Sequence, residues 1–244
     1  MSSIRIEEVM IVSIARMLSG LSHVAVGAAS PIPGSAALLA RELSGGAMRV
    51  SLLGRISQPT FTDGGRELFD CAAQGRIDAF FLSGVQIDGQ ANINLVYIGD
   101  PDHPKARFPG SFGSAYLYYL VPRVILFRQE HTPRTLVHKV DFISAPGTSD
   151  ENVYRTGGPY SLVTGRCIFK FNPEAGRFAL ESVHPGHTRE EIKKETGFEF
   201  DVPDGNTPIT ESPPADWLEL IRGPVGKEIK EIYPDFAGKV LGVN

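Results

Sequence analysis

Residues 80–113, FFLSGVQIDGQANINLVYIGDPDHPKARFPGSFG, decide how this chain folds and where its chemistry lies. The apolar start, Phe80–Leu82, reads as the end of a buried strand. Val85–Ile98 is a more polar β segment broken by a turn at Asp88-Gly89. From Gly99 to Gly113 the chain becomes a loop carrying Asp100, Asp102, His103, Lys105 and Arg107 among glycines and prolines. A plain connection has little use for so many ionisable groups, whereas loops on a rigid scaffold carry function. The loop therefore reads as an active-site rim.

On the N-terminal side, residues 6–19 place apolar side chains at Val9, Ile11, Val12, Ala15 and Leu18, the spacing of an amphipathic helix. Glu7 and Glu8 in its first turn suit the helix dipole. A short strand at His23–Gly27 follows. Pro31–Gly34 turns it into a second helix, Ser35–Leu43, and Arg49–Leu53 is the next buried strand. A helix over Glu67–Gln74 and a strand at Ala79–Leu82 continue an alternation that predicts right-handed parallel crossovers.

On the C-terminal side, Arg123–Phe127 reads as a central strand. Tyr160–Thr164, Cys167–Asn172 and Phe178–Val183 are short strands joined by glycine-containing turns. Thr188 caps a helix to Thr196 with Glu191 three residues on, a capping box. Residues 201–216 form a Pro- and Asp-rich loop before a terminal helix at Trp217–Ile221. The expectation is one α/β domain over residues 1–244: an open, mostly parallel sheet flanked by helices, with a β-rich C-terminal portion.

With 244 residues and 42% hydrophobic content, the chain can bury a substantial core. The formal charge of −4 argues against an electrostatic grip on nucleic acid. Cys71 and Cys167 form no metal-type pair and fit a reduced, cytoplasmic protein with core thiols. MSSIRIEEVM has charges where a signal peptide needs an apolar run, and no stretch is long and apolar enough to predict a membrane span. Walker, dinucleotide and nucleophile-elbow motifs are absent, and His184-Pro-Gly-His187 reads as a turn before the Thr188 helix, not a metal pair.

In the segment Arg107-Phe-Pro-Gly-Ser-Phe-Gly113, small residues let the main chain approach a ligand, and successive N–H groups can face a developing oxyanion. The plainer alternative is a tight turn. Lys105 and Arg107 suit the phosphates or carboxylate of a ligand, ahead of Asp102. His103 suits general acid–base chemistry near neutral pH, against the alternative of a solvated loop. His131 and His138 lack companions and read as structural.

Four segments in order, GVQIDGQANIN (84–94), IGDPDHPKARFPGSFG (98–113), HKVDFISAPG (138–147) and ETGFEFDV (195–202), resemble the β subunit of glutaconate CoA-transferase and its class I relatives. The resemblance runs from about residue 6 to residue 205. It implies the β chain of a heteromer with a CoA-transferase α subunit. It also implies an acyl-CoA substrate, no metal, and no cofactor beyond the substrate's own CoA. Gly84, Gln86, Lys105, Arg107 and the Gly110-Ser111-Phe112-Gly113 segment would then line the acyl-CoA site. The family has Gly-Ser-Gly-Gly at the last of these, so Phe112 replaces a glycine and would narrow the pocket or cover an acyl chain.

The family attacks the thioester with a β-subunit glutamate at the end of the strand after the second helix. Here that position falls on Leu53, or on Leu52 if the alignment slips by one. One branch of the family also lacks this glutamate. It opens the ring of a cyclic β-diketone CoA thioester in steroid breakdown, by hydrolytic C–C cleavage, with a base from the α subunit. The expectation is therefore hydrolytic or proton-transfer chemistry. The alternatives are CoA transfer, through another carboxylate such as Asp63 or an α-chain residue or by direct attack of the acceptor acid, or a non-catalytic acyl-CoA-binding or regulatory subunit. In an open α/β sheet, Leu53, Gly84 and residues 99–113 are expected at the ligand-binding strand ends.

Overall fold

The computed structural model describes residues 3–243, which form two compact units, residues 3–81 with 211–243 and residues 82–210. In the first, α1 (Ile6–Met17), β1 (His23–Val26), α2 (Pro31–Leu43), β2 (Arg49–Leu52), α3 (Gly64–Ala73) and β3 (Ala79–Leu82) alternate. β1 pairs in parallel with β2, from His23 opposite Arg49 to Val26 opposite Leu52, and in parallel with β3 through Val24 and Ala79. Every residue of β1 is buried, as in a parallel strand covered on both faces.

Two helix starts differ from the sequence reading. α2 begins at Pro31, not Ser35. Proline at the first helical position gives up an N–H that would have had no helical partner, and its fixed φ already fits the helix. α3 begins at Gly64, ahead of Glu67, because the Glu67 carboxylate accepts the Thr62 and Asp63 N–H groups at 2.6 and 3.3 Å and closes the first turn.

The C-terminal part of this unit is a longer helical run than the expected short helix. Ala215–Leu220 passes through a wide turn at Ile221–Val225, which contains Pro224, into Gly226–Ile229. Gly34 lets this run close on α2, since a β-carbon there would stand 2.9 Å from Ile229 Cδ1. Glu8, fully buried in α1, takes both Arg222 Nε and Nη2 at 2.6 and 2.8 Å and also accepts the Arg5 N–H.

In the second unit β4 (Gln86–Ile87) and β5 (Ile93–Asn94) form a hairpin over the Asp88-Gly89 turn. A second hairpin, β6 (Tyr97–Gly99) with β7 (Pro104–Arg107), leads to α4 (Ser114–Leu120). β8 (Arg123–Arg128) pairs in parallel with β9 (Pro159–Thr164). β10 (Cys167–Asn172) and β11 (Arg177–Val183) extend the sheet antiparallel, and α5 (Arg189–Glu195) follows. Phe169, Phe178, Phe198 and Phe200 pack ring to ring beneath β10 and β11. The class is α/β with mostly parallel pairing, flanked by helices, as the sequence indicates. Its β-rich later portion is β9–β11, and the described chain finishes on helices.

Candidate active site

Asp88 organises the turn between β4 and β5. Its Oδ1 accepts the Gln90 and Asn92 N–H groups, each at 3.1 Å, and its Oδ2 accepts Asn92 Nδ2 at 3.1 Å. Burial raises the Asp88 pKa, and these hydrogen bonds offset only part of that rise. Two segments far apart in sequence become one hydrogen-bonded body here. Ile93 N donates to Ala145 O at 3.0 Å, and Gly147 N donates to Asn92 Oδ1 at 3.0 Å.

Gln86 lies at the centre of this body. Its Oε1 accepts Asn94 Nδ2 at 2.8 Å and Asp141 N at 2.9 Å, while its Nε2 donates to Asp141 Oδ2 at 3.1 Å. Asp141 Oδ2 in turn accepts Gly99 N at 2.8 Å, fixing the start of the charged loop. The Gln86 amide is thus committed to holding the β4–β5 hairpin, the β6 end and residue 141 together. Asn94 and Asp141, to which the sequence alone assigns no role, share that work.

Gly84 and Gly110 are required by close backbone approach. A β-carbon on Gly84 would stand 2.6 Å from Gln86 O, and one on Gly110 would stand 2.4 Å from Leu95 O. Gly110 N donates to that same Leu95 oxygen at 3.2 Å. Gly84, Gln86 and Gly110 therefore meet around Asn94 and Leu95. Ser111 adopts φ +69°, a left-handed conformation uncommon outside glycine, and turns the chain so that Phe112 stands 87% exposed. Gly113 then caps α4.

The charged part of the loop faces outward. Asp100 Oδ1 accepts the N–H groups of Asp102 and His103 at 2.8 and 3.2 Å, an Asx turn that places His103 at an exposed tip. Lys105 and Arg107 share one face of β7 and are exposed; Arg107 Nη2 reaches Pro101 O at 3.1 Å. The sequence suggests a single loop over 99–113, whereas Pro104–Arg107 is a strand.

In the first unit Leu53 follows the last residue of β2, half-buried, with its N–H bound to Val26 O at 3.0 Å. Gly54 turns the chain away at φ +90°. Arg55 pairs with Glu228 and with Glu231 at 3.5 Å, and Arg41 holds Glu228 at 2.6 Å. Burial raises the Glu228 pKa, but the two guanidiniums outweigh it and keep the carboxyl below its ordinary value. Glu231 accepts the Ile56 and Ser57 N–H groups. Asp63 sits at the N-cap of α3, 3.1 Å from Arg66. Each of these carboxylates already has a cation or N–H partner.

His184 and His187 do not converge on a common point. His184 is buried between Thr210 Oγ1 and Thr164 O, each at 2.9 Å, and His187 bonds Glu191 Oε2 at 3.0 Å. Among the described residues no group of three or more His, Cys, Asp or Glu could hold a metal ion, and no helix is long and apolar enough to cross a membrane.

Residues 2–195 match the Coenzyme A transferase family, and the chain belongs to it. It is 38% identical over 133 residues to a 3-oxoadipate CoA-transferase subunit of Pseudomonas knackmussii, covering 51% of this chain and 50% of that one. To the cholesterol ring-cleaving hydrolase IpdB subunit of Rhodococcus jostii it is 29% identical over 161 residues, covering 64% and 62%. The matches thus span between about half and three-fifths of these relatives' lengths. The crystal structure of the decarboxylase AibA/AibB shares the fold, with a TM-score of 0.76 at 23% identity over 99% of this chain and 100% of that one.

Proposed function

We propose that the chain is the β subunit of a heteromeric, cytoplasmic enzyme of the CoA-transferase family that acts on an acyl-CoA by hydrolytic or proton-transfer chemistry, with an α subunit supplying the base. The observation that carries this reading is Leu53. It stands at the end of β2, where the family resemblance expects the attacking glutamate, and its side chain has no nucleophilic atom. The nearby carboxylates Glu228 and Glu231 are held by arginines or backbone N–H groups and are poorly placed to substitute.

Without a covalent carboxylate the reaction can proceed through water. A base takes a proton from water, and the resulting hydroxide adds to a ring ketone β to the thioester. The bond from that carbonyl carbon to the thioester α-carbon breaks, releasing a carboxylate. The electron pair flows onto the thioester oxygen as an enolate, which then takes a proton on carbon. The enolate oxygen needs N–H donors, a role for the backbone of Gly110–Gly113. Lys105 and Arg107, exposed on β7, suit the CoA phosphates, and His103 at the loop tip suits proton transfer. The ring-cleaving relative supports this reading.

A second reading, CoA transfer, is favoured by the 38% identity to a CoA-transferase chain. Mass spectrometry of the co-purified α/β pair, incubated with a panel of acyl-CoAs with and without an acceptor acid, separates the two. Acceptor-independent addition of water with no enzyme adduct is the expected result. A borohydride-sensitive enzyme–CoA thioester together with exchanged acyl-CoA would overturn the hydrolytic reading and establish transfer.

A further inference from the structure

A cavity of about 500 Å³ opens in the second unit at the amino ends of β8 and β9, lined by Thr148, Ser149, Gly157, Gly158, Tyr160 and Lys170 among others. It lies beyond the C-terminal end of α4, a helix of 7 residues whose other end is Gly113. The helix is about 10 Å long at its standard rise, so the cavity is well separated from the Gly110–Gly113 segment. Ligand crevices of open α/β sheets lie at the carboxyl ends of the strands, so the position is unusual as well as separate.

The cavity's charge is one-sided. Arg155 and Lys170 line it and no carboxylate does. Arg155 lies partly buried, its guanidinium spent on neutral partners: Gly157 O at 3.0 Å, Ser149 Oγ at 2.8 Å, and Pro146 O at 2.9 Å. It also stacks on Tyr119 at 4.7 Å. Burial lowers the Arg155 pKa, with no carboxylate beside it to compensate. Lys170 rests its ammonium on the Tyr160 ring, 2.9 Å from the centroid, while Arg123 covers the same ring at 4.4 Å. Among the described residues the Lys170 ammonium meets no carboxylate and no hydrogen-bond acceptor, so its N–H groups remain available.

The wall is held in place by glycine. A β-carbon on Gly157 would stand 2.0 Å from Val121 O, so only glycine lets the segment before β9 approach the end of α4. Thr148 and Ser149 add hydroxyls to the lining, and Pro122, Pro159 and Pro173 add rigid apolar surface.

We propose that this cavity binds the phosphate group of a phosphorylated organic molecule. Lys170 meets the phosphate oxygens directly, Arg155 supplies a second fixed positive charge, and the hydroxyls complete the contacts. Phosphate fits better than carboxylate because the Arg155 and Lys170 cations and the Thr148 and Ser149 hydroxyls line the cavity with no carboxylate. That lining suits a group carrying about two negative charges and three acceptor oxygens. The Tyr160 ring already carries the Lys170 and Arg123 cations, so the organic body lies against the prolines and does not stack on the ring. The volume falls within the range of small-molecule sites and exceeds what a bare phosphate fills.

The test titrates inorganic phosphate into the full chain at low chloride and follows the amide resonances of Thr148, Ser149, Gly157 and Gly158. Saturable shifts are expected, weakened about tenfold or more in Lys170→Gln and retained in Lys170→Arg. Absence of shifts up to tens of millimolar phosphate, or equal binding by acetate, would overturn the proposal. So would unchanged affinity in Lys170→Gln; if that variant fails to fold, the wild-type phosphate and acetate titrations decide alone. CoA and dephospho-CoA, read at the same amides, identify the source. Tighter binding of CoA assigns the site to the 3′-phosphate of CoA, equal binding of both assigns it to the diphosphate they share, and binding of inorganic phosphate without either assigns it to another phosphorylated molecule.

Discussion

In the unit built from residues 3–81 and 211–243, the polar links that join its two chain segments carry full charges: buried Glu8 is held by Arg222 at 2.6 Å, and half-buried Glu228 by Arg41 and Arg55. In residues 82–210 the buried groups are mostly neutral. Gln86 and Asn94 exchange amide contacts, His131 bridges Thr164 and Thr196 at 2.8 and 2.9 Å, and His184 joins Thr210 to Thr164. The charged links connect segments more than 170 residues apart, whereas the neutral links are shorter in sequence, from 8 residues for Gln86 with Asn94 to 65 for His131 with Thr196. Charge attracts at a distance and tolerates imperfect register. Neutral hydrogen bonds demand close geometry, which suits the unit that carries the glycine-rich site.

Acid separates the two most strongly. Burial is the main cause that depresses His131 to about 3 and His184 to about 4, from 6.5 for a free imidazole. Both are lower in the folded state, so their contribution is full above pH 6.5 and lost as pH falls toward 4 and 3. Between pH 7 and 5 each forfeits up to about 2 kcal/mol. Asp88, with its raised pKa, works in the opposite direction. Glu228, held below its ordinary value, keeps its contribution until pH falls below about 4.5. Burial also lowers the pKa of His23 in β1, so the first unit softens through one imidazole and the second through two. Hydrogen exchange across pH 7 to 5 should therefore show β9–β11 losing more protection than α1 and α2. Uniform loss would erase the contrast between the units.

A charge deletion tests the other side. Glu8→Ala strands Arg222 beside a buried helix and is expected to cost about 3 kcal/mol, discounted for the partial exposure of Arg222. Calorimetry should record a lower Tm, and exchange protection should fall in α1 but not in β9–β11. Gly110→Ala is the next largest, at about 2 kcal/mol, because the new methyl meets the Leu95 carbonyl and neither backbone can retreat cheaply. The same variant should reduce turnover of the α/β pair more than it reduces stability, read as kcat against Tm. Thr188→Ala should have the smallest effect, about 1 kcal/mol, from losing the cap that accepts Glu191 N at 3.2 Å. Urea midpoints are precise enough to rank it below Gly110→Ala.

Short-range chemistry is legible in the sequence. The apolar runs that form β1, β2, β3 and β8, the Asp88-Gly89 turn and the Thr188 cap all depend on neighbours within a few residues. The strand end at Leu53 is legible for the same reason. α4 escapes a local reading because SAYLYYL is short and rich in aromatics, which are weak helix formers. Pro31 signals a helix start, yet the proline pair around Ile32 equally suggests a turn. In the site, the chemistry of His103, Lys105 and Arg107 follows from residue type alone. The bonds of Gln86 to Asp141, and the contact of Gly110 with Leu95, depend on tertiary neighbours that no local pattern encodes. The Arg155 cavity is invisible in the sequence for a similar reason, since residues 147–149, residues 155–158, β9 and β10 each contribute only part of its lining.

The first unit is assembled from both ends of the described chain, and this bears on its biosynthesis. On the ribosome, residues 82–210 emerge complete and can fold as a continuous stretch. The preceding α/β segment must wait, with Glu8 lacking its cation and Arg41 and Arg55 lacking Glu228, until residues 222–231 leave the exit tunnel. During that interval nascent α1 and α2 expose surface that the finished protein hides, a natural target for a chaperone and a point where slowed translation would favour aggregation.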